Sequence, residues 1–234
     1  MKISLKNFSN IDLHIPDGVF KPTETSNLLV ESVLETIKSP LKILDLGAGS
    51  GIVGIILGKS KIVKFPLYAS DLSKESINAI QINCDRNNIP VEVRKGSLFT
   101  PWIGECFDCI INDISGISES VASISPWFDN ISCSSGVDGS DLTISVLANA
   151  NKYLHPKGSV FFPVISFSNT EKIIEFAKRN FNEVMLIKRR EWPLPKTMYK
   201  NIALLKELKD KGYIDFKESF GMVICYTEIY CAKL

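Results

Sequence analysis

Histidine is scarce in this 234-residue chain, which has two, and so is surplus charge: 27 Lys and Arg against 26 Asp and Glu leave a net +1. A near-neutral chain has no global field to recruit nucleic acid or an anionic membrane surface. No apolar stretch reaches the ~20 residues of a membrane-spanning helix, and no basic, apolar leader opens the sequence. Internal repeats and low-complexity runs are missing too. The six cysteines (Cys84, Cys106, Cys109, Cys133, Cys225 and Cys231) contain a single Cys-x-x-Cys, Cys106 to Cys109, with no second pair at zinc spacing. Cys109 falls inside an apolar run, so buried free thiols in a reduced, cytoplasmic protein are expected. His14 and His155 are set aside as catalysts, since His155 falls in the turn-like stretch His155-Pro156-Lys157-Gly158.

Present instead is an ordinary globular composition, 45% hydrophobic and 23% charged, enough for one domain with a full core. A single domain over 1–234 is expected, with N-terminal strands, loop and helix over 1–38, a ligand-binding core over 39–165, and C-terminal strands with a helical insertion over 166–234. The densest local charge is basic: Lys188, Arg189, Arg190, Lys196, Lys200, Lys206, Lys209 and Lys211. It reads first as a solvated face and second as a contact for a macromolecule.

The chain is organised around Lys42 to Lys59, KILDLGAGSGIVGIILGK. Ile43 to Leu46 is short and apolar, as a buried parallel strand is. The turn after it carries Gly47, Ala48, Gly49, Ser50 and Gly51, whose glycines let backbone and ligand come into contact. An apolar helix follows and aims its amide-rich end at whatever lies over the turn. Two ligands fit this cradle. Gly49-x-Gly51-x-x-Gly54, with Asp71 further on, satisfies the dinucleotide pattern. However, a pyrophosphate would meet Asp45 at the strand end. S-adenosylmethionine brings a cationic amino group and sulfonium, which Asp45 suits.

Around this unit strands and helices alternate. Strands are expected over 43–46, 65–69, 91–93, 107–112, 159–165, 183–188 and 222–232. Helices are expected over 27–37, 52–58, 73–86, 141–154, 169–179 and 197–211, with Thr25 or Ser26 capping the first and a turn over 155–158. Residues 1–15 alternate loosely and suggest one or two short strands. The pattern is α/β: a Rossmann-like, doubly wound sheet of seven strands with helices on both faces. Ligands of such a sheet lie outside the C-terminal strand ends, where residues 45–51, 71–72, 96–99 and 112–116 converge.

The run Asp45-x-Gly47-x-Gly49-x-Gly51 resembles the first motif of the class I S-adenosylmethionine-dependent methyltransferases. The loop Gly18-Val19-Phe20-Lys21-Pro22-Thr23-Glu24-Thr25-Ser26 resembles the loop ahead of that motif in the small-domain branch, the release-factor glutamine methyltransferases and their relatives. The likeness continues through Asp71, Gly96 to Phe99, the segment Gly136 to Leu142, and Leu154-His155-Pro156-Lys157-Gly158. It implies strand order 3-2-1-4-5-7-6 with the last strand antiparallel. It also implies S-adenosylmethionine held by Asp45, Gly47, Ala48, Gly49, Gly51, Asp71, Leu72, Ser97, Leu98, Asn112 and Thr25. Asp71 would take the ribose hydroxyls, and Ser97 and Leu98 the adenine.

Two departures redirect the substrate. The family's Asn-Pro-Pro-Tyr is here Asn112-Asp113-Ile114-Ser115, keeping the Asn and losing both prolines and the aromatic. The N-terminal helical domain of the release-factor enzymes is also not found ahead of the loop. Asn112 and Asp113 are the catalytic candidates, Asn112 as hydrogen-bond acceptor and Asp113 as base. Phe20, Trp127, Phe128, Trp192 and Tyr199 are candidates for an apolar substrate wall, and the long connection over 114–140 suits a binding loop. The expected function is transfer of methyl to a nitrogen or oxygen of a small molecule or peptide, with nucleic acid and membrane unlikely partners. The alternatives are N-methylation of a protein or RNA, a non-catalytic S-adenosylmethionine-binding module, and a nicotinamide-dependent oxidoreductase.

Overall fold

Ile43–Leu46 is buried at every position, as a strand covered on both faces must be, and forms β1 at the middle of the sheet. The computed structural model describes residues 11–114, 116–126 and 135–234. In chain order the elements are α1 (Glu24–Thr36), β1, α2 (Ile52–Lys59), β2 (Leu67–Asp71), α3 (Lys74–Arg86), β3 (Val91–Lys95), β4 (Phe107–Asn112), α4 (Glu119–Ala122), α5 (Asp141–Ala150), β5 (Leu154–Ile165), α6 (Thr170–Asn180), β6 (Glu183–Pro193), α7 (Ile202–Asp210), β7 (Lys217–Ser219) and β8 (Met222–Lys233). The sheet order is β3-β2-β1-β4-β5-β8-β6, with β7 on β8. Strands β1 to β5 are parallel, and β8 runs antiparallel to β5, β6 and β7. This is the expected seven-position order, with the hairpin strand β7 added.

Apolar side chains fill both faces of the sheet. On one, Leu29, Val33, Ile55 and Ile80 of α1 to α3 meet Ile43, Cys109 and Phe161. On the other, Val146, Leu147 and Ile173 of α5 and α6 meet Leu44, Trp102 and Phe162. Trp102 is fully buried, and its indole N–H donates to Ser70 Oγ at 2.9 Å, leaving no unpaired donor inside. A third cluster joins α7 and the β7–β8 hairpin to Phe167 and Leu194. Cys84, Cys109, Cys225 and Cys231 are buried free thiols, and Cys106 is half-buried; burial pushes the Cys84 thiol up to about 12. Cys133 lies outside the described residues. Among the described residues there is no cluster of metal-binding side chains, and no helix is long and apolar enough to cross a membrane.

Several boundaries differ from the sequence expectation, each for a physical reason. Helix α1 starts at Glu24, because Thr23 rather than Thr25 or Ser26 is its cap: Thr23 Oγ1 accepts from the Thr25 N–H at 3.2 Å. Thr23→Ala is expected to cost about 1 kcal/mol of stability, read as a lower denaturation midpoint. Helix α5 stops at Ala150, and the expected 155–158 turn lies inside β5. A register shift between Phe107 and Cys109 absorbs it, as a bulge does. Strand β6 continues to Pro193, because Lys188, Arg189 and Arg190 find carboxylates on α1, β6 and β8. The 197–211 helix divides into a 3-10 stretch, Lys196–Asn201, and α7.

Of the expected N-terminal strands, residues 1–10 lie outside the described residues, and 11–15 show one isolated bridge, at Asp12. Helix α3 holds this stretch with amide side chains instead. Asn83 Oδ1 accepts from the His14 N–H at 2.6 Å, Asn83 Nδ2 donates to His14 O and Ser50 O, both at 2.9 Å, and Asn87 Nδ2 donates to Asp12 O at 2.9 Å.

Candidate functional site

The glycine turn is held by the end of β2. The N–H groups of Gly47 and Ala48 donate to Ser70 O at 2.9 and 3.0 Å, and the Gly49 N–H donates to Asp71 Oδ2 at 2.9 Å. Asp71 Oδ1 accepts from the Ser73 N–H at 2.9 Å, so one carboxylate ties the turn to the start of α3. Gly47 has φ 71°, and a Cβ there would run into Ile114 Cγ1; only glycine meets both demands.

Asp45 lies beneath the turn and is wholly buried. Its Oδ2 accepts from the Gly54 N–H of α2 at 2.9 Å, while its Oδ1 has no partner among the described residues. Burial pushes its pKa up to about 7, with the nearby Asp113 carboxylate adding to the rise and the Gly54 N–H opposing it. Space beneath the turn is tight: a Cβ on Gly54 would come within 2.5 Å of Leu67 Cδ2 and 2.9 Å of Asp45 Oδ2.

Above the turn opens a cleft of about 590 Å³. Gly47, Ala48 and Gly49 line it after β1, Asp71 and Leu72 after β2, Ser97 and Leu98 after β3, and Asp113 and Ile114 after β4. Gly18, Phe20 and Pro22 close it from the loop ahead of α1. The structure thus brings together seven of the expected cofactor residues. Gly51 turns the chain behind the cleft with φ 81°, Asp45 and Asn112 lie under it, and Thr25 faces elsewhere.

A second cavity of about 250 Å³ lies beyond Asp113. Its walls are Phe20, Thr23, Glu24, Thr25, Asp113, Ile117, Pro163, Ile165, Phe167, Trp192 and Thr227. Trp192 packs edge-on to Phe167, with ring centres 5.5 Å apart, and its N–H donates to Thr227 Oγ1 at 3.1 Å. Asp113 and Phe20 are shared by both spaces. Asp113 Oδ2 accepts from Ser26 Oγ at 2.8 Å, and burial pushes its pKa up to about 7 against the lowering effect of that bond. Asn112 is wholly buried; its Oδ1 accepts from the Ile114 N–H at 3.3 Å and its Nδ2 has no partner among the described residues.

One expected wall residue, Tyr199, lies elsewhere. Tyr199 accepts the Val223 N–H at 3.0 Å through its hydroxyl oxygen and packs in the α7 cluster. Trp127 and Phe128 lie outside the described residues. Ser26, a helix-cap candidate by sequence, instead donates to Asp113; its place in the Thr-Glu-Thr-Ser loop gives no sign of that. The start of the basic stretch is paired with carboxylates: Lys188 with Glu31 and Glu35, Arg189 with Glu191 and Glu228, Arg190 with Glu24 and Glu31.

Residues 10–113 match the family model described as methyltransferase small domain. The release factor glutamine methyltransferase of Thermodesulfovibrio yellowstonii is 29% identical over 167 residues, 67% of this chain and 60% of that protein. The chain thus spans about three fifths of that relative's length. Among solved structures, the ribosomal protein L11 methylase of Lactobacillus delbrueckii subsp. bulgaricus superposes with TM-score 0.57 at 18% identity, over 93% of this chain and 83% of that one. The T. thermophilus 16S rRNA N2 G1207 methyltransferase, solved with AdoMet and guanosine, gives 0.57 at 17% identity, over 92% and 46%. These two superpositions establish a common fold.

Proposed function

Because this chain carries the class I, S-adenosylmethionine-dependent methyltransferase core of the small-domain type, we propose that it transfers methyl from S-adenosylmethionine to a nitrogen or oxygen on a protein or peptide. The observation that supports this most is Asp113, a carboxylate set between a cleft of cofactor size and a smaller apolar chamber. The unspent polar atoms fit the donor. Asp45 Oδ1, an acceptor, and Asn112 Nδ2, a donor, have no partner among the described residues; both lie just under the cleft, and the amino-acid end of the cofactor would bring an ammonium and a carboxylate to that side. A dinucleotide would instead bring a pyrophosphate towards Asp45, Asp71 and Asp113.

The bound donor supplies an electrophilic methyl on a positively charged sulfur. This chain's residues supply position and a proton acceptor. Gly47, Ala48 and Gly49 would let the cofactor approach the backbone, the cleft-lining Asp71 would accept from the ribose hydroxyls, and Ser97 and Leu98 would flank the base. Methyl transfer needs nucleophile and methyl in line, so holding the acceptor in the chamber is itself catalytic. Asp113 is within the range where a general base works best at neutral pH.

The acceptor class follows from charge. The relatives described above act, by name, on protein or RNA. RNA binding draws on free Lys and Arg that neutralise phosphates, whereas Lys188, Arg189 and Arg190 are already engaged with carboxylates. Protein or peptide is therefore favoured over nucleic acid.

Thermal denaturation with S-adenosylmethionine, S-adenosylhomocysteine, NAD and NADP tests the donor. The first two at about 100 times Kd should stabilise by about 2.7 kcal/mol, a shift of several degrees. Stabilisation by NAD or NADP alone would remove the proposal.

A further inference from the structure

Resting on the methyl-transfer reading, we infer that the acceptor is an amine on an apolar arm, entering the chamber as its ammonium and surrendering a proton to Asp113. The chamber walls carry two carboxylates, Glu24 and Asp113, and no Lys, Arg or His among the described residues. The N-terminal end of α1 also faces this space, but its partial positive charge is met within its own first turn by the Thr23 cap and Glu24. A carboxylate or phosphate acceptor would meet the Asp113 carboxylate, and the nearby Arg190 guanidinium is already engaged by Glu24 and Glu31.

An amide fits less well than an amine. It presents N–H donors and a carbonyl together, and Asn112 is the side chain able to answer both. Asn112 is buried off the chamber wall, with Oδ1 already taken by the Ile114 N–H. An ammonium offers donors only. Among the described residues Asp113 Oδ1 has no hydrogen bond while Ser26 holds Oδ2, and the chamber is lined by the aromatic rings of Trp192, Phe167 and Phe20, a ring type that attracts cations. The apolar remainder, Ile117 and Ile165 among it, suits the hydrocarbon arm.

The step balances without a further reactant. The ammonium gives one proton to Asp113, the freed nitrogen lone pair forms the N–CH3 bond, and the S–CH3 electron pair returns to sulfur, leaving a neutral thioether. Asp113 then passes its proton to solvent.

The test is calorimetric titration of the S-adenosylhomocysteine-loaded protein at pH 7.5 with phenethylamine, phenethyl alcohol, 3-phenylpropionamide and 3-phenylpropionate. The amine should bind at least roughly tenfold tighter than the other three, the discrimination of one charge-assisted hydrogen bond, and Asp113→Asn should abolish that preference. Equal or tighter binding of the amide, alcohol or carboxylate, no amine binding, or a preference surviving in Asp113→Asn would overturn the inference. The wild-type series decides even if the variant misfolds. Failure of the protein to take up S-adenosylhomocysteine would overturn the methyltransferase reading first, and the amine with it.

Discussion

If the chain transfers methyl as proposed, Asp113→Asn should lower turnover by about 10² to 10⁴-fold, the usual contribution of a placed proton acceptor, with S-adenosylmethionine affinity nearly unchanged. The replacement keeps the shape of the side chain and an oxygen for Ser26 Oγ, which now sits 2.8 Å from Asp113 Oδ2. What it removes is the capacity to take a proton at the junction of the two cavities. The pH profile separates this role from a structural one. With Asp113 held up to about 7 by burial, wild-type turnover at saturating donor should rise roughly tenfold per unit of pH below 7 and then level. In the variant that limb should disappear. Full turnover with the limb intact would remove Asp113 from the chemistry.

Asp45→Asn should move stability and cofactor affinity in opposite directions. The wholly buried Asp45 is pushed up to about 7 from its ordinary 3.8. The folded protein therefore holds this proton over a range where the unfolded chain has released it. The stability this contributes is complete below about pH 4 and is lost as pH rises through 7, at up to about 1.4 kcal/mol per unit. Without donor, the asparagine variant should match wild type near pH 4 and exceed it by about 2–4 kcal/mol at pH 8, read from denaturant midpoints. On the proposed reading its affinity for S-adenosylmethionine should fall, because a negative charge beneath the glycine turn, favourable to a cationic ligand above it, is gone. A variant less stable than wild type at pH 8, with unaltered affinity, would show that Asp45 is an ordinary structural acid.

Much of this was legible before any coordinates. The short apolar strand, the glycine turn and Asp71 are local features, and local features decide turn geometry. The alternation of periodicities announced a doubly wound sheet, whereas the strand order came only with the family resemblance. The depth of Asp45 was less legible: the sequence puts a carboxylate at a strand end but not on which side of the turn it emerges, and Gly54 draws it downward. The chamber was hidden because its walls come from α1, β5, β6 and β8, far apart in the chain. The continuation of β6 to Trp192 was masked by three successive cations that look solvent-facing, until Glu31, 159 residues from Arg190, is seen beside them. Ser26 and Asp113, separated by 87 residues, meet only through the sheet.

Phe20 lines both the large cleft and the chamber, so the two spaces are not independent of each other. A ring that serves two compartments as a common partition passes to one whatever displaces it in the other.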